Sequence, residues 1–310
     1  MFKYVIGRLV QSVLVLVLIA SITFLLMNFV PGGPFASEKA QSEEVLAAKM
    51  AKYGLDKPLS VQLKNYLWNA AHFEFGDSMK LQTGRPVIEI MREMFPYSAK
   101  IGLMALCVAV LLGVPLGCVA AYHRGKPVDS FLRVVTTLGI SVPGFVLATI
   151  MLVIFAVKLK VLPATGLSSA KNYIMPVLSL SFYPMCYTAR LSRSSMLDVI
   201  NQDYIRTARA KGVSAPRIIF KHALRNAFIP VLTYLGPLTA GILTGSFVVE
   251  SVFSIPGLGR YFVQSINNRD YPLIMATTIF FAFLVIVMNF AVDILYKFVD
   301  PRIDITKGVD

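Results

Sequence analysis

Charge is scarce in this 310-residue chain: 15% of its residues are Asp, Glu, Lys or Arg, while 56% are hydrophobic. That balance is too apolar for the surface of a water-soluble domain. Cysteine is nearly missing as well. Cys107, Cys118 and Cys186 all fall in apolar runs without the paired spacing of a metal site or disulfide framework, so they read as core packing. The three histidines, His72, His123 and His222, all lie in connecting segments. No Gly-x-Ser-x-Gly elbow and no paired acids occur within an apolar run, which removes the hydrolase chemistries that such motifs serve. A phosphate-binding Gly-x-x-x-x-Gly-Lys-Ser/Thr loop is lacking too, because Gly125-Lys126-Pro127 does not match it. Hydrolysis of ATP by this chain is therefore not expected.

What is present is long apolar runs. A bilayer core about 30 Å thick takes roughly 20 apolar residues per helical crossing. Six runs approach that length, at 9–30, 101–122, 134–157, 173–189, 228–249 and 273–296. They lack the alternation of barrel strands, and lipid leaves no other way to satisfy the backbone, so the expected fold is an all-α membrane protein with six transmembrane helices. The first run, preceded by Lys3 and Arg8, has the look of a secretory signal. It is nevertheless about twice the length of a signal core, and Pro31-Gly32-Gly33-Pro34 follows it in place of a cleavage site. None of the six runs carries an ionisable group centrally. Such groups cost about 2.5–3.5 kcal/mol to insert, and ion-driven carriers keep them regardless. Asp293, near Tyr296 and Lys297 at one end of the last run, reads as an anchor or an interhelical bond. Energy for uphill transport would have to enter through a partner.

The formal net charge of +13 does not point to nucleic acid, because the basic residues concentrate in alternate loops. One group is Lys3 and Arg8, and a second is Arg124, Lys126 and Arg133. The third, from Arg190 to Arg225, sets eight basic residues against Asp198 and Asp203. By the positive-inside rule these loops and both termini are cytoplasmic. The expected organisation is a tail and first helix (1–30), an extracytoplasmic insertion (31–98), a five-helix core (99–298) holding a basic loop (190–227), and a cytoplasmic tail (299–310). Within the insertion, 43–53 is helical, and Gly54, Pro58, Gly76 and Gly84 mark turns. Val87, Ile90, Met91 and Met94 have amphipathic helical spacing, and they either lie in the outer interface or pack on the bundle.

Pro115, Pro143, Pro176, Pro184 and Pro237 fall inside runs, with Gly236, Gly241 and Gly245 nearby, so the helices kink or pack closely there. Thr239, Gly241, Thr244 and Ser246 of the fifth run could line a solute path, and ordinary bundle packing explains them equally well. In the basic loop, 201–211 forms a helix with Asp203 at its positive end, and Gly212 stops it. Ser214 is placed to cap a second helix, with Pro216 in its first turn and 217–227 continuing to Pro230. Two short helices at an angle make a knob suited to docking in a partner's groove. A basic helix pair holding anionic lipid is the alternative.

Here the residues become specific. Tyr204-Ile205-Arg206-Thr207-Ala208-Arg209-Ala210-Lys211-Gly212 and His222-Ala223-Leu224-Arg225-Asn226-Ala227 resemble the coupling loop of ABC-type peptide-import permeases. Arg206-Thr207-Ala208 with Gly212 occupies the Glu-Ala-Ala…Gly pattern of bacterial import permeases, matching only its second Ala and its Gly. His222-Ala223-Leu224-Arg225 stands where that general pattern has Ile-x-Leu-Pro, a departure typical of the dipeptide and oligopeptide branch. Phe95-Pro96-Tyr97-Ser98-Ala99-Lys100, Val252 to Gly259, Arg269-Asp270-Tyr271-Pro272 and Asp300-Pro301-Arg302 extend the likeness, which is strongest to the first membrane subunit of an oligopeptide permease.

The resemblance implies the ABC importer permease fold in the bacterial inner membrane. It also implies a non-catalytic subunit paired with a second homologous permease, two ATPase subunits that use ATP and Mg, and an extracytoplasmic peptide-binding protein. Arg206, Thr207, Ala208, Arg209, Lys211, Gly212, His222 and Arg225 become the ATPase-coupling residues. Glu250, Pro256, Gly257 and Gly259 become an outer gate or binding-protein contact, with turn geometry as the alternative reading. Dipeptides, oligopeptides, nickel chelates and some sugars are all substrates within the branch.

Overall fold

A computed structural model describes residues 2–29, 33–35, 43–214 and 217–299, with side chains described except at 2–5, 220–222 and 296–299. Pro31, Gly32, Pro216 and the tail from Asp300 onward, for which the sequence raises expectations, lie outside the described residues, as does the His222 side chain. Helix α1 (Phe2–Phe29) leads into the insertion, which holds α2 (Glu43–Lys52) and α3 (Leu59–Ala71). The bundle continues with α4 (Val87–Tyr122), α5 (Pro127–Ser141), α6 (Gly144–Met151, prolonged as a π-helix over Leu152–Lys158) and α7 (Lys171–Ile200). Short α8 (Asp203–Ala210), a π-helical turn at Ile218–Ala223 and α9 (Leu224–Ala227) form the basic loop. Then come α10 (Ile229–Leu243), α11 (Phe247–Val252), α12 (Leu258–Asn268) and α13 (Tyr271–Val299).

Among the described residues four stretches are long and apolar enough to cross a membrane: Ile6–Phe29, Val87–Tyr122, Leu224–Val252 and Tyr271–Leu295. A fifth is available if Pro127–Ser141 and Gly144–Lys158, which meet at 99°, count as one broken span. The break falls at Pro143. Its pyrrolidine pushes the preceding Val142 out of the helical region, to φ −82° and ψ 121°. The run at 173–189 lies in α7, which is less apolar because it is central: it buries Asn172, Ser179, Ser181, Thr188 and Ser192 against its neighbours. Ser179 satisfies its hydroxyl locally by donating to the Met175 carbonyl at 2.8 Å.

Small residues let the central helices meet. A Cβ on Gly113 of α4 would lie 2.7 Å from the Met185 carbonyl of α7, and one on Gly102 would lie 2.9 Å from that of Ile242. Cys118 and Cys186 are buried, as core packing requires, whereas Cys107 is exposed on the bundle surface. Asp293 pairs with Arg8 at 2.9 Å, joining α13 to α1, which is the interhelical bond expected of it. Helix α4 runs unbroken across position 98. Its Val87, Ile90, Met91 and Met94 are buried against Leu258, Leu273 and Ala276, so this segment packs on the bundle.

Candidate functional site

The basic end of the bundle carries the knob. Helix α8 keeps one side chain, Ile205, fully buried, together with half-buried Ala208, against Cys118, Met196, Ile218, Ala223 and Ala227. Arg206, Thr207, Arg209 and Lys211 face solvent. A single apolar anchor with a polar outer face leaves this short helix fixed in place and open to a partner. One further contact holds it: Asn226 Nδ2 of α9 donates to the Tyr204 hydroxyl at 2.8 Å; within α8 itself, exposed Arg206 lies 3.6 Å from exposed Asp203. Gly212 ends the helix at φ +75°, its N–H donating to the Arg209 carbonyl at 2.9 Å and the Val213 N–H to that of Ala208 at 3.2 Å. This left-handed position strains any residue with a Cβ, although the space around it is open. The second element differs from expectation. It is a π-helical turn leading into one short α-helical turn, with Arg225 exposed and Ala223 buried.

The candidate path residues do not form a cluster of free hydroxyls. Thr239 donates to the Leu235 carbonyl at 2.6 Å and Thr244 to that of Gly241 at 2.8 Å, both within α10. Ser246 caps α11 by accepting from Val249 N at 3.4 Å. Gly241 has open space where a Cβ would stand, whereas Gly236 packs against Val292.

At the opposite end, the candidate gate residues converge. Glu250 is 3% exposed, accepts from Ser98 Oγ at 2.7 Å and from Arg260 N at 2.7 Å, and so ties α11 to α4 and α12. Ser98 Oγ in turn accepts from Leu258 N at 2.8 Å. Glycine is required at 257 for room: a Cβ there would overlap the Glu250 carboxylate, and one on Gly259 would sit 2.9 Å from Gly245. Pro256 leads into this turn and is partly exposed.

Comparison with known proteins places this architecture. Residues 113–305 match the binding-protein-dependent transport system inner membrane component family, and residues 1–98 match the N-terminal region of such membrane components. The chain belongs to this permease family. It is 46% identical over 307 residues to the dipeptide transport system permease protein DppB of Bacillus subtilis, covering 99% of each chain. It is 43% identical over 305 residues to the oligopeptide transport system permease protein OppB of Haemophilus influenzae, covering 98% of this chain and 99% of that one. An inward-facing structure of the MetNI methionine ABC transporter shares the fold, with a TM-score of 0.56 at 18% identity over 69% of this chain and 97% of that one. The permease is thus a multi-pass protein of the bacterial inner membrane and the membrane subunit of a transporter.

Two buried carboxylates of the permease escaped sequence reasoning as working groups. Asp129, 1% exposed, receives a two-pronged bond from Arg193 Nε at 2.7 Å and Nη2 at 2.9 Å, and locks α5 to α7 near the knob. Asp270, fully buried, gathers Ser78 Oγ at 2.5 Å and the backbone N–H groups of Met79, Lys80 and Leu81 at 3.0–3.1 Å. It pins the insertion to the start of α13. Neither set of partners is close in sequence, and residue type alone carried no signal for them.

Proposed function

We propose that this permease is one of two homologous membrane subunits of an ATP-driven importer of peptides, and that α8 through Gly212 is the point where a separate ATPase grips it. The observation that carries the reading is the construction of α8: one fully buried apolar anchor beneath an outward face of Arg206, Thr207, Arg209 and Lys211. Among the described residues none of the apolar runs carries an ionisable group centrally that could drive transport, and Asp293 is engaged by Arg8 near one end. In this reading the chain crosses six times, with the knob and both termini in the cytoplasm and the insertion outside, in keeping with the basic bias of the loops.

In this reading the chain itself is non-catalytic. Two ATPase subunits bind ATP and Mg, and their closure pushes α8. Through the Asn226–Tyr204 bond and the packed Ala223 and Ala227, the push moves α9 and α10 as one body. Thr239, Gly241, Thr244 and Ser246 then lie along the fifth span beside the path. The Glu250 cluster with Pro256, Gly257 and Gly259 braces the outer end, where a peptide-binding protein delivers its load. The oligopeptide and dipeptide relatives support peptides as the substrate class, with dipeptides the alternative to longer ones.

Replacing Gly212 by Val, with peptide uptake and ATPase co-purification measured together, tests this reading. Uptake should fall at least tenfold and ATPase retention should drop. Normal uptake with intact assembly would remove α8 from the mechanism.

A further inference from the structure

We infer that the cleft between α4, α5 and α7 at the basic end holds the phosphate of one anionic phospholipid. The cleft encloses about 280 Å³ and is lined by Arg133, Arg190 and Arg193, with Thr136 and Thr137 on α5 and Gly117 on the α4 wall. That volume falls just short of the roughly 300 Å³ at which drug-sized pockets begin, and it suits a headgroup.

The charge there is unbalanced. Three arginines meet one carboxylate, Asp129, which is committed to Arg193 at 2.7 Å and lies 3.7 Å from Arg133. Arg190 makes no ion pair or hydrogen bond among the described residues. A guanidinium fork matches phosphate oxygens in pairs, and a threonine hydroxyl can donate a third bond.

The depth of the cleft favours a lipid over a free anion. The cleft sits where the apolar runs of α5 and α7 give way to arginine, the depth of a headgroup layer. Basic pockets between helices at such a boundary are where anionic headgroups bind. This inference does not depend on which side of the membrane the knob faces, nor on the ATPase reading.

Native mass spectrometry of the assembled transporter, offered phosphatidylglycerol and phosphatidylcholine in equal amounts, tests the site. Arg133→Gln/Arg190→Gln leaves the Asp129–Arg193 pair in place. At about fivefold per arginine, it should lower retention of phosphatidylglycerol by roughly 25-fold without changing that of phosphatidylcholine. Arg133→Lys/Arg190→Lys, which keeps the charge, should recover most of the binding and so exclude a general loss of structure. Equal retention by the Gln variant and the parent would overturn the site. Displacement of the lipid by millimolar inorganic phosphate, or by a peptide with a free carboxylate, would overturn its assignment to lipid.

Discussion

Ser98 and Glu250, 152 residues apart in sequence, share a buried hydrogen bond of 2.7 Å. It joins the long helix α4 to the short α11 at the end of the bundle remote from the knob. The carboxylate is also the wall against which Gly257 packs, so the glycine and the acid are a matched pair in which the missing side chain makes room for the charge.

Gly257→Ala should therefore destabilise the permease by about 1–3 kcal/mol, the usual cost of overpacking. Gly241→Ala, whose added methyl meets nothing within 4 Å, should be close to neutral. Thermal unfolding of the two variants in detergent decides the matter, and equal shifts would contradict the packing described. Glu250→Ala should also cost about 1–3 kcal/mol, because the Ser98 hydroxyl and the Arg260 N–H lose their acceptor.

Asp129 and Arg193 should behave as a unit. Removing one member of a buried pair strands the other, at a cost of about 3–5 kcal/mol. The Arg193 side chain is 21% exposed, which places the loss toward the lower end. Arg193→Ala should accordingly be less stable than the double variant Asp129→Ala/Arg193→Ala. A double-mutant cycle read by chemical unfolding checks this, and simple additivity would show that the two side chains do not interact.

The grip of Asp270 on the segment 78–81 can be read by proteolysis. Asp270→Asn loses the charge and turns one acceptor into a donor facing backbone N–H groups, at a cost of about 1–3 kcal/mol. Trypsin added to reconstituted vesicles should then cut at Lys80 or Arg85 several-fold faster than in the parent, while the rest of the bundle stays resistant. Unchanged cleavage would mean that the insertion is held by other contacts.

The apolar helices were legible because hydropathy is a local property, and α8 was legible because its acid, its cations and Gly212 are neighbours in sequence. Pro143 marked a kink without announcing a turn of 99°, since proline excludes a conformation for the residue before it and does not choose the new direction. Helix α7 was read as a span like the others, yet its serines and Asn172 reflect burial among helices. Glu250 was noticed for its position. The reason for Gly257 and Gly259 was not visible, because turn chemistry and close approach favour the same residue. Asp129, Asp270 and Ser98 find their partners 64, 189–192 and 152 residues away, distances over which pattern reading has no reach.

The most direct test of the coupling role of α8 is a cross-link. With a single cysteine at Thr207→Cys, on the exposed face of the helix, and a short bifunctional reagent applied to membranes containing the whole transporter, a covalent adduct to an ATPase subunit is expected, and its yield should change when ATP and Mg are added. A cysteine that reacts instead with an impermeant reagent applied from the extracytoplasmic side, or that links to no other protein, would contradict it.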